Sequence, residues 1–128
     1  MSNTHNPLIR VAIADDHARY RAGIRHVLSL KQEIQIATEA SQGQELLDSL
    51  EHSDVDVVLL DIRMPVLDGV STLPLLRRWY PEVKVIMLSM YHEHHQMNEL
   101  MLLGASAYLS KSADPEIIYQ TIVSLYEA

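Results

Sequence analysis

Cysteine is absent from all 128 residues, which removes disulfide frameworks, thiolate metal sites and cysteine nucleophiles and fits a reducing compartment. Basic residues are few. Ten Lys and Arg stand against seventeen Asp and Glu, for a formal charge of −7. Those ten are scattered rather than clustered, so the electrostatic term that dominates nucleic-acid binding is missing, and this stretch is not expected to bind DNA itself. Long apolar runs are also missing: the longest have strand length, far short of the ~20 residues a membrane-spanning helix needs. Met1 to Pro7 is polar and lacks the apolar core of a signal peptide, so a cytoplasmic location is expected by elimination. Repeats, linkers and low-complexity stretches are absent as well. What remains is an ordinary globular composition, 48% hydrophobic and 21% charged, with a length suited to one domain. A disordered tail is expected over residues 1–7 and a single folded domain over 8–128.

Within that domain apolar runs alternate with helical periodicity. Leu8 to Ala14 is rich in β-branched residues and ends at two aspartates, the pattern of a buried strand meeting a site. Tyr20, Ile24, Val27 and Leu28 follow at the spacing of one helix face, with Arg19, Arg21 and Arg25 pointing elsewhere. Ile34 to Ala40 reads as a second strand and Gln42 to His52 as a second helix. Val55 to Leu60 is a third strand closed by Asp61. A loop with Pro65 and Gly69 leads to a third helix, for which Ser71 is the expected N-cap, placing Pro74 in the first turn. Pro81 stops that helix. Val83 to Ser89 is a fourth strand, Glu93 to Leu103 a fourth helix ended by Gly104, and Ala105 to Ser110 a fifth strand. The last helix starts at Asp114 and Pro115. Five such units imply an α/β fold, a doubly wound parallel sheet with helices on both faces. Ligands bind such sheets at the carboxyl ends of the strands, where strand order reverses.

The residues with chemistry do end strands. Asp15 and Asp16 follow the first, Asp61 the third, Ser89 ends the fourth and Lys111 follows the fifth. Three carboxylates converging in one crevice repel one another unless a cation or a proton balances them. Oxygen donors, with no cysteine and no obvious histidine ligand, favour Mg²⁺ over zinc or copper. A hydroxyl at Ser89 and an ammonium at Lys111 suit the oxygens of a phosphoryl group. The chemistry expected is attack of the Asp61 carboxylate on phosphorus to give an acyl phosphate.

These residues resemble those of two-component response regulator receiver domains. The likeness rests on Asp15-Asp16, on Asp61-Ile-Arg-Met-Pro-Val-Leu-Asp-Gly69, on Ser89 after a strand and on Gly104-Ala-Ser-Ala-Tyr-Leu-Ser-Lys111, and it covers residues 8–128. It implies a flavodoxin-like five-stranded sheet of order 2-1-3-4-5 with five helices, acting as a signalling switch and not as an enzyme on other substrates. It also implies that Asp61 is the phosphoacceptor for a sensor histidine kinase. Asp16, Asp61 and the Arg63 carbonyl would ligate Mg²⁺ directly, with Asp15 acting mainly through water. Ser89 and Lys111 would bind the phosphoryl group, and Tyr108 would swing inward when the Ser89 hydroxyl is drawn toward phosphate. The switch face would be the fourth helix, fifth strand and fifth helix, with homodimerisation on phosphorylation. Asp15-Asp-His-Ala-Arg-Tyr-Arg-Ala-Gly23 further resembles receivers of the NarL or LuxR type, which carry a DNA-binding helix-turn-helix output domain. On that likeness the chain, stopping at Ala128, is expected to be a receiver cut from a longer transcription regulator. The alternative is a stand-alone or phosphorylation-independent receiver acting as an interaction module.

Two departures from the family pattern stand out. Ser112 replaces the proline that in many receivers follows the lysine in a cis bond, and without proline a cis bond is costly. Arg63 and Tyr91 put bulk on the pocket rim, which is expected to hinder an attacking water and lengthen the phosphoryl lifetime. Other features have plainer readings. Asp68-Gly69 suits a turn or cap; Met97, Leu100 and Met101 suit the core. His92, His94 and His95 form a solvated face, lacking the i, i+4 pair of a helical metal site. An aspartyl-phosphate hydrolase normally carries a second aspartate where Arg63 stands and a cap domain for which there is no room. A flavin-binding domain would need backbone donors where the chain has Asp15-Asp-His17.

Overall fold

The computed structural model describes residues 8–91 and 93–128; the tail expected at 1–7, and His92 of the histidine tract, lie outside the described residues. Five strands, β1 (Ile9–Ala14), β2 (Ile34–Ala40), β3 (Val57–Asp61), β4 (Lys84–Ser89) and β5 (Ala107–Ser110), alternate with five helices. These are α1 (Ala18–Ser29), α2 (Gly43–Leu50), α3 (Gly69–Trp79), α4 (His94–Leu102) and α5 (Pro115–Glu127). The strands pair in parallel in the order β2-β1-β3-β4-β5. Strand order therefore reverses beside β1 and β3, the crevice where a site is expected. No helix among the described residues is long and apolar enough to cross a membrane.

Side chains alternate across a strand, so each run of apolar residues feeds two cores. Ala12, Ala14, Val58 and Leu60 face Leu46, Leu50, Leu73, Leu76 and Leu100 from α2, α3 and α4. Val11, Ile13, Val57 and Leu59 face Ile24 and Leu28 of α1 and Ile118 and Ile122 of α5. Of the apolar residues expected inside on α4, Leu100 is fully buried while Met101 is 43% exposed, a correction to the core reading of that helix. Nine residues with one buried face leave Met101 at the rim.

The third helix begins earlier than its sequence suggests. Asp68, not Ser71, is the N-cap: its carboxylate accepts the Ser71 N–H at 2.8 Å, and its carbonyl accepts the Thr72 hydroxyl at 2.6 Å. Pro74 consequently lies inside the helix, where a proline leaves the carbonyl four residues back without its N–H. The start is fixed by the approach of Gly69 to the end of β3. Its N–H donates to the Ile62 carbonyl at 2.8 Å, and a Cβ there would lie 2.3 Å from the Asp61 carbonyl oxygen. Only glycine fits. At the far end of α4, Gly104 takes φ +108°, the left-handed conformation that ends helices.

Candidate functional site

Four strand ends deliver the site. The Asp15 N–H donates to the Ala40 carbonyl at 2.9 Å, Ile62 to Leu88 at 3.1 Å and Lys111 to Ser89 at 2.8 Å, so the ladder runs directly into the functional residues. Asp15, Asp61, Ser89 and Lys111 are all buried, at 0, 2, 4 and 6% exposure. A cleft of about 300 Å³ opens above them, lined by Asp16, His17, Asp61, Arg63, Ser89 and Tyr91 among others. The loop from Asp61 to α3 is pinned by a tight turn in which the Leu67 N–H donates to the Pro65 carbonyl at 2.7 Å. Val66 between them has φ +66°, a strained conformation for a β-branched residue of the kind that clusters at sites.

Lys111 Nζ lies 2.7 Å from Asp15 Oδ2 and 3.5 Å from Asp61 Oδ2. The Arg63 N–H donates to Asp61 Oδ1 at a long 3.4 Å, and Asp61 Oδ2 is buried without a hydrogen-bond partner. Burial first, and then the charge on Asp15, push the Asp61 carboxyl up to about 6, against the opposing pull of Lys111. An orphaned, buried carboxylate oxygen among further oxygen donors fits a hard divalent cation, which would supply the missing partner. Asp15 is itself fixed from α1, where the Arg21 guanidinium donates to its carbonyl and also meets Glu39 at 3.2 Å.

Ser89 and Tyr108 are joined through one acceptor. The Ser89 hydroxyl donates to the Tyr91 carbonyl at 2.6 Å and accepts the Tyr91 N–H at 3.0 Å. Tyr108 OH donates to the same carbonyl at 3.2 Å and approaches Gln96 Oε1 at 3.4 Å. At the rim the Arg63 guanidinium stacks over the Tyr91 ring, 5.2 Å from its centre. The bond between Lys111 and Ser112 is trans, as is every peptide bond among the described residues.

Three residues of the site were not legible as such. His17, at the N-cap of α1, makes no capping bond with its side chain and instead turns its ring to the carboxylates. Nδ1 lies 3.3 Å from Asp15, 3.4 Å from Asp16, 3.8 Å from Asp61 and 3.1 Å from Lys111 Nζ. His17 is not singled out by the sequence, and the structure brings its ring to the edge of the aspartate cluster; the available signal was its place directly after the aspartate pair. Arg21 reads in sequence as one of three surface arginines. Tyr20 reads as core, yet Lys111 Nζ sits 4.5 Å above its ring, and its buried hydroxyl has no partner. Burial and the charges of Asp15 and Asp61 raise that hydroxyl to about 12. Tyr20→Phe removes the orphaned group and keeps the ring, so it is expected to stabilise the fold by about 1 kcal/mol, measured by urea unfolding. Among the described residues Asp15, Asp16, His17 and Asp61 form the one group able to hold a metal, which leaves His94 and His95 on the exposed surface of α4.

The model of the response regulator receiver domain matches residues 11–123. Response regulator UvrY of Escherichia coli is 37% identical over 119 residues, 93% of this chain and 55% of that protein. Nitrate/nitrite response regulator protein NarP of Escherichia coli is 34% identical over 113 residues, 88% of this chain and 53% of that protein. Among solved structures, the signal receiver domain of the putative response regulator NarL from Mycobacterium tuberculosis superposes with a TM-score of 0.89 at 26% identity. That match covers 96% of this chain and 99% of the other. The chain spans about half the length of the curated relatives it matches.

Proposed function

The chain belongs to the response regulator receiver domain family, related to NarL- and LuxR-type regulators, and from that membership we propose that it is a phosphorylation switch with Asp61 as phosphoacceptor. Receivers are signalling domains, so the chemistry of interest is transfer onto the domain itself. The observation that carries the reading is the buried Asp61 carboxylate with one oxygen unpartnered at the floor of the cleft and Lys111 beside it. At neutral pH a carboxyl titrating near 6 is mostly ionised and nucleophilic. Its oxygen attacks phosphorus while the bond to the donor's leaving group breaks in line. Lys111 supplies positive charge to the equatorial oxygens. Asp16, Asp61 and the Arg63 carbonyl would hold Mg²⁺, with Asp15 acting through water, and the ion would neutralise charge on the phosphoryl oxygens.

The switch follows from the shared acceptor. Once the Ser89 hydroxyl donates to a phosphoryl oxygen, its bond to the Tyr91 carbonyl is lost, and that loop and Tyr108 re-pair. The change reaches the face formed by α4, β5 and α5, through which homodimerisation would follow. A sensor histidine kinase is the phosphoryl source under this reading, in the cytoplasm, and residues 8–128 are the receiver unit of a regulator with a DNA-binding output domain. The stacked Arg63 and Tyr91 screen the acyl phosphate from water. Arg63→Ala is therefore expected to raise the autodephosphorylation rate a few-fold, followed by loss of labelled protein with time; an unchanged rate removes the screening role.

Intact-protein mass after incubation with acetyl phosphate tests the reading. A gain of one phosphoryl group that requires Mg²⁺ and disappears in Asp61→Asn is the expected result. No gain under any condition would favour a phosphorylation-independent interaction module.

A further inference from the structure

We propose that Tyr20 is a positioning residue for phosphoryl transfer: the face of its ring seats the Lys111 ammonium and leaves that group's N–H donors to the incoming phosphoryl oxygens. The inference rests on the receiver reading of the cleft and adds to it a residue of α1 that acts through Lys111. Lys111 Nζ stands 4.5 Å above the centre of the Tyr20 ring, inside the distance at which a ring face attracts a cation. The Lys111 side chain is 3% exposed, so little water reaches its charge. An aliphatic residue would complete the apolar face of α1 equally well, but it would set a buried ammonium against a surface that offers it nothing. An aromatic ring offers the negative face of its quadrupole.

The other neighbours of the ammonium give that seat its purpose. Nζ lies 2.7 Å from Asp15 Oδ2 and 3.5 Å from Asp61 Oδ2, yet neither oxygen has a hydrogen-bond partner among the described residues. These are charge contacts without hydrogen-bond geometry. The ammonium donates instead to His17 Nδ1, at 3.1 Å, which occupies one of its donors. Left to the carboxylates alone, the ammonium would turn a donor onto Asp61, whose oxygen has to be free to attack. The ring holds the charge close to Asp61 without engaging a donor. As the Asp61 oxygen bonds to phosphorus and the leaving group departs with its electron pair, the ammonium donates to an equatorial oxygen with no hydrogen bond to Asp61 to break first. Preorganisation of that kind is what makes such charge stabilisation effective. The part of Tyr20 that acts is the ring, since its hydroxyl is buried without a partner. The ring is fixed near the start of α1 by packing against the core that includes Ile24 and Ile118.

The test is the initial rate of labelling by acetyl phosphate and Mg²⁺, measured on the whole chain with Tyr20→Phe and with Tyr20→fluorophenylalanine variants carrying one, two and three ring fluorines. Fluorine nearly preserves the size and apolarity of the ring while draining its face of negative charge. The rate is expected to fall with each fluorine, to roughly a third to a tenth of the Tyr20→Phe rate at full substitution. Tyr20→Leu is expected to fall to the same low end, and Tyr20→Phe to regain most of what that variant loses. In a Lys111→Ala background the series is expected to be flat, because the ammonium that senses the ring is gone. The ε-methylene protons of Lys111 are expected to resonate upfield, shifted by the ring, and to lose that shift in Tyr20→Leu. A flat series with Lys111 present, or equal steps with and without Lys111, overturns the proposal and leaves Tyr20 as core packing. Wild-type labelling beside a flat series leaves the receiver reading standing and this one fallen; a wild-type chain that takes up no phosphoryl group brings down both.

Discussion

Replacing Lys111 by alanine is expected to slow phosphorylation by acetyl phosphate by on the order of 10²–10³-fold and to destabilise the fold by about 3 kcal/mol at neutral pH. Both effects come from one ammonium. In the proposed transition state it would balance charge gathering on the phosphoryl oxygens, in a buried setting where such balance counts for more than in water. In the resting state it is the cation nearest Asp15 and Asp61, at 2.7 and 3.5 Å. Without it two buried carboxylates face one another. The cost sits at the low end for breaking a buried pair, since Asp61 can take up a proton instead. The destabilisation should accordingly shrink at pH 5, where that proton is easily supplied. Urea unfolding at both pH values, with single-turnover labelling, checks the pair of effects; a labelling rate within a few-fold of wild type would remove Lys111 from the mechanism.

Asp61→Asn is expected to abolish labelling while making the domain more stable at pH 7.5. The unfolded carboxyl titrates near its ordinary 3.8, the folded one near 6, chiefly because of burial and then Asp15. The folded state therefore holds the proton more tightly, and ionisation costs it stability. Wild-type stability from this group falls as pH rises from about 4 to about 6 and stays low above that. A carboxyl moved from 3.8 to about 6 is worth at most ~3 kcal/mol, and water and counter-ions in the open cleft reduce this to about 1–2 kcal/mol. The amide in the Asp61→Asn variant never ionises, so that variant's advantage should be full above about pH 6 and gone below about pH 4. A pH series of unfolding curves reads this directly. Magnesium should stabilise the wild type and narrow the gap, because an ion that binds only the folded state adds its binding free energy.

Much of the fold was legible because buried parallel strands read as apolar runs, and here each run stops at a residue with chemistry. Asp61 and Ser89 close their strands, and Asp15 and Lys111 follow theirs. Such positions face the reversal of strand order wherever the intervening helices pack. The start of α3 was less legible, since Asp68 and Ser71 are both good caps. What decides between them is the fit of Gly69 against the end of β3, a contact that no local pattern of the chain encodes. Side-chain direction was the other limit. His17, Tyr20 and Arg21 are near neighbours in the chain, and periodicity puts Tyr20 on the apolar face and Arg21 off it while saying nothing of His17. In the structure all three turn toward the aspartates, because α1 starts directly above the cleft. A helix-face pattern reports which side is apolar; it does not report that the helix's first turn looks into a charged pocket.

The central claim is that Asp61 itself becomes an acyl phosphate, and borohydride trapping tests it most directly. Hydride reduces an acyl phosphate to an alcohol and leaves a free carboxylate untouched, so a phosphorylated aspartate becomes homoserine. Protein treated with acetyl phosphate and Mg²⁺, reduced and mapped by peptide mass spectrometry, should carry homoserine in place of Asp61 and nowhere else. Homoserine in place of Asp15 or Asp16, or unreduced aspartate at all three positions in protein shown to be folded, would contradict the account.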